Sequence, residues 1–150
     1  MNVKSFADFM KTFKNIQPLS NIDIISKCKE MKIKNFKGVF MRDELNKSNA
    51  ISSDECLILN IDESSNNGTH WTCLDIQNNV CYYFDLYEFP PPQEVGQYCE
   101  KFTDKYYNTF RIQKPDQVIC GHYCIYVLNR LNNGFKFYDV LDELYRYNTS

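Results

Sequence analysis

The stretch from Gln113 to Cys124 reads QKPDQVICGHYC and sets a thiol, Cys120, directly before Gly121 at the mouth of an apolar helical run. A thiol at a helix N-terminus lies against the positive end of the dipole, which favours thiolate and makes it a usable nucleophile near neutral pH. Gln113 stands seven residues upstream with a side-chain amide that can donate a hydrogen bond. Far earlier in the chain come Gly68-Thr69-His70-Trp71 and Phe84-Asp85. A thiol, an imidazole, a carboxylate and an amide donor form a set for nucleophilic attack on a carbonyl carbon. The thiolate attacks, the imidazolium protonates the leaving amine, and the carboxylate orients and supports the imidazole. The backbone N–H groups at Cys120 and Gly121 and the Gln113 amide can meet the oxyanion.

This chemistry requires His70 and Asp85 to meet, and the residues between them bear on that. His70 to Gln77 and Val80 to Tyr87 read as two strands joined at Asn78-Asn79, a pair that tolerates positive φ and suits a tight primed turn. With a two-residue loop Gln77 faces Val80, His70 falls opposite Tyr87, and Asp85 lies diagonal to His70 on the same face. Diagonal neighbours stand roughly 7–8 Å apart at the backbone, within reach for an imidazole and a carboxylate. A three-residue loop would put them on opposite faces. His122, the other histidine, sits two positions past Cys120 on one helix and points about 200° away, so it cannot serve that thiol. A metal site from Cys120, His122 and Cys124 fails for the same reason, and no metal or other cofactor is expected.

Other elements supply the frame. Phe6, Phe9, Met10 and Phe13 have helical spacing. Ser20 or Asn21 can cap a second helix with Ile24, Ile25, Cys28 and Met31 on one face. Residues 35–50 read as irregular, Cys56 to Asp62 as a buried strand and Ser64 to Gly68 as a polar loop. The prolines at 90–92 lead into a helix over about Gln93 to Tyr107, followed by a short strand from Thr109 to Lys114. The Cys120 helix is apolar nearly all round, so it belongs inside the domain. Asn133-Gly134 ends it, and a last helix covers about Tyr138 to Tyr147. The expectation is a single α+β domain over residues 1–150.

Composition narrows the class. The chain has 150 residues, 43% hydrophobic and 15% aromatic, which is enough for a core and speaks against disorder. A net charge of -2 gives no support to a DNA-binding surface. Seven cysteines, an odd number without a CxxC pair, fit reduced thiols better than a disulfide scaffold. Five of them, Cys28, Cys56, Cys73, Cys81 and Cys99, fall on apolar faces and read as packing, as does Cys124. The N-terminus lacks the apolar core and cleavage site of a secretory signal, and no run reaches bilayer length, so neither secretion nor a membrane partner is expected.

With these residues in hand, the chain resembles the adenovirus-type (adenain-like) cysteine proteases, and most of all the shorter members encoded by virophages and Maverick/Polinton elements. The matching text is Phe36 through Leu45 (FKGVFMRDEL), Glu55-Cys56, Gly68-Thr69-His70-Trp71, Tyr83-Phe84-Asp85 with Pro91-Pro92, and Gln113 through Cys124. The resemblance implies a central mixed sheet packed between helices, shared with SUMO- and NEDD8-processing proteases. It implies Cys120 as nucleophile, His70 as base, Asp85 as its partner and Gln113 as oxyanion donor. Trp71 is expected to stack near the base and wall the substrate cleft, with Gly121 beside it and Tyr87 and Phe89 lining it. The implied role is endopeptidase cleavage of capsid or core precursors during virion maturation, in the virion and the host-cell cytoplasm. An activating viral peptide is a further implied partner. The acid is Asp here, where the adenovirus enzyme has Glu. Alternatives that use the same residues are an isopeptidase for ubiquitin-like conjugates and an acyltransferase; a non-catalytic scaffold of the same fold is another.

Overall fold

The computed structural model describes residues 3–45, 53–62, 70–108 and 119–149. Five strands form one mixed sheet in chain order: β1 (Phe36–Met41), β2 (Glu55–Asn60), β3 (Trp71–Gln77), β4 (Val80–Phe84) and β5 (Asp104–Tyr107). The central pairs β2/β3 and β3/β4 are antiparallel, while β1 and β5 join the edges in parallel. Helices α1 (Phe6–Met10), α2 (Asn21–Glu30), α4 (Cys120–Asn132) and α5 (Phe137–Thr149) cover one face, and the short α3 (Gln93–Tyr98) covers the other.

Strand alternation divides the core between the two faces. Cys56, Ile58, Cys73 and Phe84 point to the four-helix side. Leu57, Leu59, Leu74, Ile76 and Tyr83 point to the α3 side, where Val95, Tyr98 and Phe102 meet them. A sheet covered on both faces has no polar alternation to show, which is why every residue of β2 is buried.

The helix that carries Cys120 is the centrepiece. Every residue from Cys120 to Leu131 is buried. Its apolar circumference is satisfied by β3 beneath and by α1, α2 and α5 around it. Phe6 stacks on Tyr123 with centroids 4.3 Å apart. Arg130, buried, donates to the carbonyls of Val3 and Lys4 and so fastens the start of the chain to this helix. Gly134, at φ 89, takes the left-handed position that lets the chain leave the helix and turn into α5.

The hairpin follows the register read from sequence. Asn78 and Asn79 have φ 52 and 66, as a two-residue type I′ turn requires. Gln77 pairs with Val80, and the ladder runs on to Cys73 opposite Phe84. The α2 cap is Ser20, whose Oγ accepts from the Asp23 N–H while Asp23 reaches back to the Ser20 N–H.

Three expectations fail. Residues 35–50 are not irregular throughout: 36–41 form β1 and 42–44 a 3₁₀ turn. β1 is an edge strand with a register shift between Phe36 and Gly38, and Gly38 has φ 140. Its half-buried pattern has no period to detect. The helix read over Gln93 to Tyr107 ends at Tyr98; Asp104–Tyr107 are an exposed edge strand. There the β propensity of paired tyrosines and the open edge of β4 prevail over helical spacing. Ile25, placed on the buried face of α2, is 46% exposed, whereas Lys27 is buried in its stead over the Phe13 ring. The loop read at Ser64 to Gly68 and the strand read at Thr109 to Lys114 lie outside the described residues.

Candidate active site

The two chain segments that carry chemistry meet at the end of the β3–β4 hairpin opposite its turn. His70 immediately precedes β3 and Asp85 immediately follows β4. Each has left the ladder, so their side chains can turn toward each other. His70 Nε2 lies 2.8 Å from Asp85 Oδ1, and both residues are buried. The same carboxylate oxygen accepts the Tyr87 N–H at 2.8 Å. The Tyr87 ring lies nearly parallel to the imidazole, 4.5 Å between centroids and 13° apart. Phe89 adds an edge contact. The imidazole is therefore held in its plane by a ring and along its axis by a carboxylate.

Cys120 approaches from the other core element. It is the first residue of α4, and Ile119 before it places no side-chain cap over the helix mouth. First-turn N–H groups have no acceptors within a helix, so this end presents donors beside the sulfur. The Cys120 Sγ accepts the backbone N–H of Trp71 at 3.4 Å, which ties it to the residue next to His70. His70 Nδ1, the nitrogen not used by Asp85, is buried and makes no hydrogen bond of good geometry among the described residues. The thiol lies near enough to influence it. Burial pushes the imidazole's pKa down, but its bond to Asp85 and the nearby Cys120 sulfur prevail and raise it to about 9. The imidazolium is thus the form present at neutral pH, placed between a carboxylate and a sulfur.

Gly121 and Trp71 form the next layer. A Cβ on Gly121 would come 3.2 Å from Trp71 Cδ1 and 3.5 Å from Leu19, so the missing side chain permits the indole to lie across the helix start. The indole N–H donates to the Leu19 carbonyl at 3.0 Å. Trp71 thus holds the N-terminal segment against the helix mouth, and the ring stacked on His70 is Tyr87.

No protein-family model matches the chain, and no curated protein does. Among solved structures, the ASFV pS273R protease superposes with a TM-score of 0.65 at 16% sequence identity, covering 89% of this chain. The SUMO protease Ulp1, in a form with its catalytic cysteine oxidized to a sulfonic acid, gives a TM-score of 0.49 at 17% identity, covering 93% of this chain and 79% of Ulp1. The chain shares the fold of the pS273R protease. It spans just under two thirds of that protein's length, 66%.

Of the four residues singled out for chemistry, the structure brings Cys120, His70 and Asp85 together; Gln113 lies outside the described residues. His122 is where its spacing puts it, away from the thiol. It is fully buried, edge-on to Phe13 at 4.7 Å, and burial, aided by Lys27, lowers its pKa to about 4. Burial likewise pushes the Cys28 thiol up to about 12 and those of Cys56 and Cys124 well above the ordinary value.

One residue of the site escaped the sequence reading. Asn108, buried just past β5, accepts the Asp85 N–H at 3.0 Å and donates to the Asp85 carbonyl at 2.6 Å. This two-point clamp replaces the ladder where β4 ends and fixes the backbone from which the carboxylate projects. Its signal in the sequence is an asparagine directly after a Tyr-Tyr pair, a pair whose helical spacing hides it.

Proposed function

We propose that the chain is a cysteine endopeptidase of the adenain-like type that processes capsid or core precursor polypeptides of a virus or mobile element. The observation that carries the reading is the buried His70–Asp85 pair at 2.8 Å with the Cys120 sulfur bonded to the neighbouring Trp71 N–H. In this reading Cys120 thiolate attacks the scissile carbonyl carbon, forming a C–S bond as the carbonyl pair moves to oxygen. N–H groups at the helix mouth, with the Gln113 amide, receive the oxyanion. The His70 imidazolium gives its proton to the leaving amine as the C–N bond breaks, then as neutral base draws a proton from the water that hydrolyses the thioester. Asp85 keeps the imidazole oriented and charged, and Asn108 keeps Asp85 in place. The shared fold with a viral protease supports the class. The viral or virophage/Polinton setting, with the virion and host cytoplasm as its places of action, comes from the resemblance of the motifs, as does an activating viral peptide.

The test is incubation of the protein with candidate capsid precursors encoded beside it, followed by sequencing of new termini. Cleavage that disappears in a folded Cys120→Ala variant supports the reading. Cleavage retained in that variant moves the nucleophile elsewhere. Labelling of Cys120 by a ubiquitin-like C-terminal probe, with precursors left intact, would replace it by the isopeptidase alternative.

A further inference from the structure

The far end of α4 carries a second site of different chemistry. Cys120 to Asn132 spans about 18 Å of helix axis, so this end is remote from the thiol. Here Gln77, Leu131 and Gly134 line two adjoining cavities at once, of about 530 and 280 Å³. Together they make one groove with two unlike halves, of a size usual for small-ligand sites.

The larger half is aromatic. Tyr82 lies nearly parallel to Tyr106, 5.8 Å between centroids, and Tyr138 stands at 86° to Tyr106 at 6.3 Å. Tyr106 and Tyr138 are 42% and 50% exposed, so ring faces are open to a ligand. Phe135, at the rim, already holds a cation on its face: the Arg130 guanidinium is 4.5 Å from its centroid.

The smaller half is acidic. Asp54 and Asp75 line it, with Lys34 as its cation; Glu55 borders it but turns its carboxylate to the other face of the sheet, while Lys136 and Asp139 line the aromatic half. Asp54 and Glu55 are engaged: Asp54 accepts the Asn78 N–H, and Glu55 accepts the Tyr98 hydroxyl with Lys37 at 3.5 Å. Asp75 is different. It is 6% exposed, and its Oδ2 has no hydrogen-bond partner among the described residues. Burial, opposed by a bond from Gln77 and reinforced by Asp54, pushes its pKa up to about 7. A buried carboxyl left half-satisfied in the lining of a cavity is costly unless a donor arrives from the cavity. An anion would meet carboxylates there, and an apolar ligand would leave Asp75 as it is.

We propose that this groove binds an organic cation, a primary ammonium or guanidinium that docks on Asp75 while its alkyl stem lies along the faces of Tyr82, Tyr106 and Tyr138. The shared chemistry has two sources, a free polyamine or a lysine or arginine side chain of a polypeptide.

The experiment is calorimetric titration of the full chain carrying Cys120→Ala, which prevents proteolysis, at fixed ionic strength. The probes are spermidine, agmatine, end-blocked Ala-Arg-Ala and Ala-Lys-Ala peptides, and 1,6-hexanediol as the uncharged control. Saturable one-site binding of at least one cationic probe, and none of hexanediol, is expected. Asp75→Asn, which removes the charge at constant shape, should weaken that binding at least tenfold. Tyr106→Ala, at an exposed position, should weaken it several-fold. Binding by free amines alone assigns the site to a small polyamine; binding by peptides alone assigns it to a polypeptide. Absence of binding by every cationic probe overturns the proposal, and so does binding that Asp75→Asn leaves unchanged. Alkylation of Cys120 by iodoacetamide, measured in the parent chain, stays the same in both groove variants, so failure here is distinguishable from failure at the thiol site.

Discussion

The chain has two histidines, and the fold sends their proton affinities in opposite directions. His70 is raised from 6.5 to about 9 and His122 is lowered to about 4. At about 1.4 kcal/mol per tenfold change, the rise at His70 corresponds to about 3 kcal/mol of preference for the imidazolium in the folded state. Because the folded value lies above the unfolded one, that stabilisation is fully present below pH 6.5. It is lost as pH rises through 9. Asp85→Asn keeps an oxygen that can accept from His70 Nε2 and the Tyr87 N–H but removes the negative charge. Burial, which lowers the value, is then opposed chiefly by Cys120, and the proton affinity of His70 should fall at least tenfold. Imidazole NMR of the parent protein should show two well-separated titrations, one near 9 and one near 4. In Asp85→Asn the upper one should move toward 6.5 while the lower stays in place. Iodoacetamide alkylation of Cys120 at pH 7 should slow in the same variant, because its cationic neighbour is partly lost. Two parent titrations near 6.5, or an upper titration that Asp85→Asn does not move, would refute the electrostatic account of the site.

Three further outcomes follow from local geometry. Asn108→Ala strands the buried Asp85 N–H and carbonyl, so thermal unfolding should show a loss of about 1–3 kcal/mol, together with slower alkylation of Cys120. Gly121→Ala, at the second position of α4, gains only part of the ~1 kcal/mol by which Ala exceeds Gly in a helix interior and meets the indole at 3.2 Å. Its stability should change little while the emission of the chain's one tryptophan shifts, and an unmoved spectrum would show that Trp71 does not lie across Gly121. Asn79→Gly places the favoured residue at a φ of 66. It should raise stability slightly in denaturant melts, because the better fit at positive φ exceeds the entropy that glycine adds to the unfolded chain, with no effect at the thiol end of the hairpin.

How far the site could be read from sequence depends on how local its determinants are. Asn78-Asn79 specifies a turn within two residues, and the turn sets every pairing from Gln77–Val80 onward, including the approach of His70 to Asp85. The α4 run needs only its own composition to be placed inside. β1 and β5 are decided elsewhere, by open edges of β2 and β4 that no window of neighbouring residues contains. Reading 93–107 as one helix had a cost at the site, since it concealed Asn108. Trp71 shows another limit: an aromatic beside a candidate base reads as a cleft wall, and only the fold reveals its bond to Leu19, 52 residues away.

The contact between the Cys120 sulfur and the Trp71 amide closes a loop of 49 residues. His70 and Asp85, only 15 positions apart, are brought together by one hairpin. During synthesis the imidazole and its acid are therefore both made well before the Cys120 thiol. A nascent chain at that stage holds this pair without the thiol that will stand beside it. The thiol arrives late and must bury an entire helix to reach its post, so the three groups come together only when the core is complete.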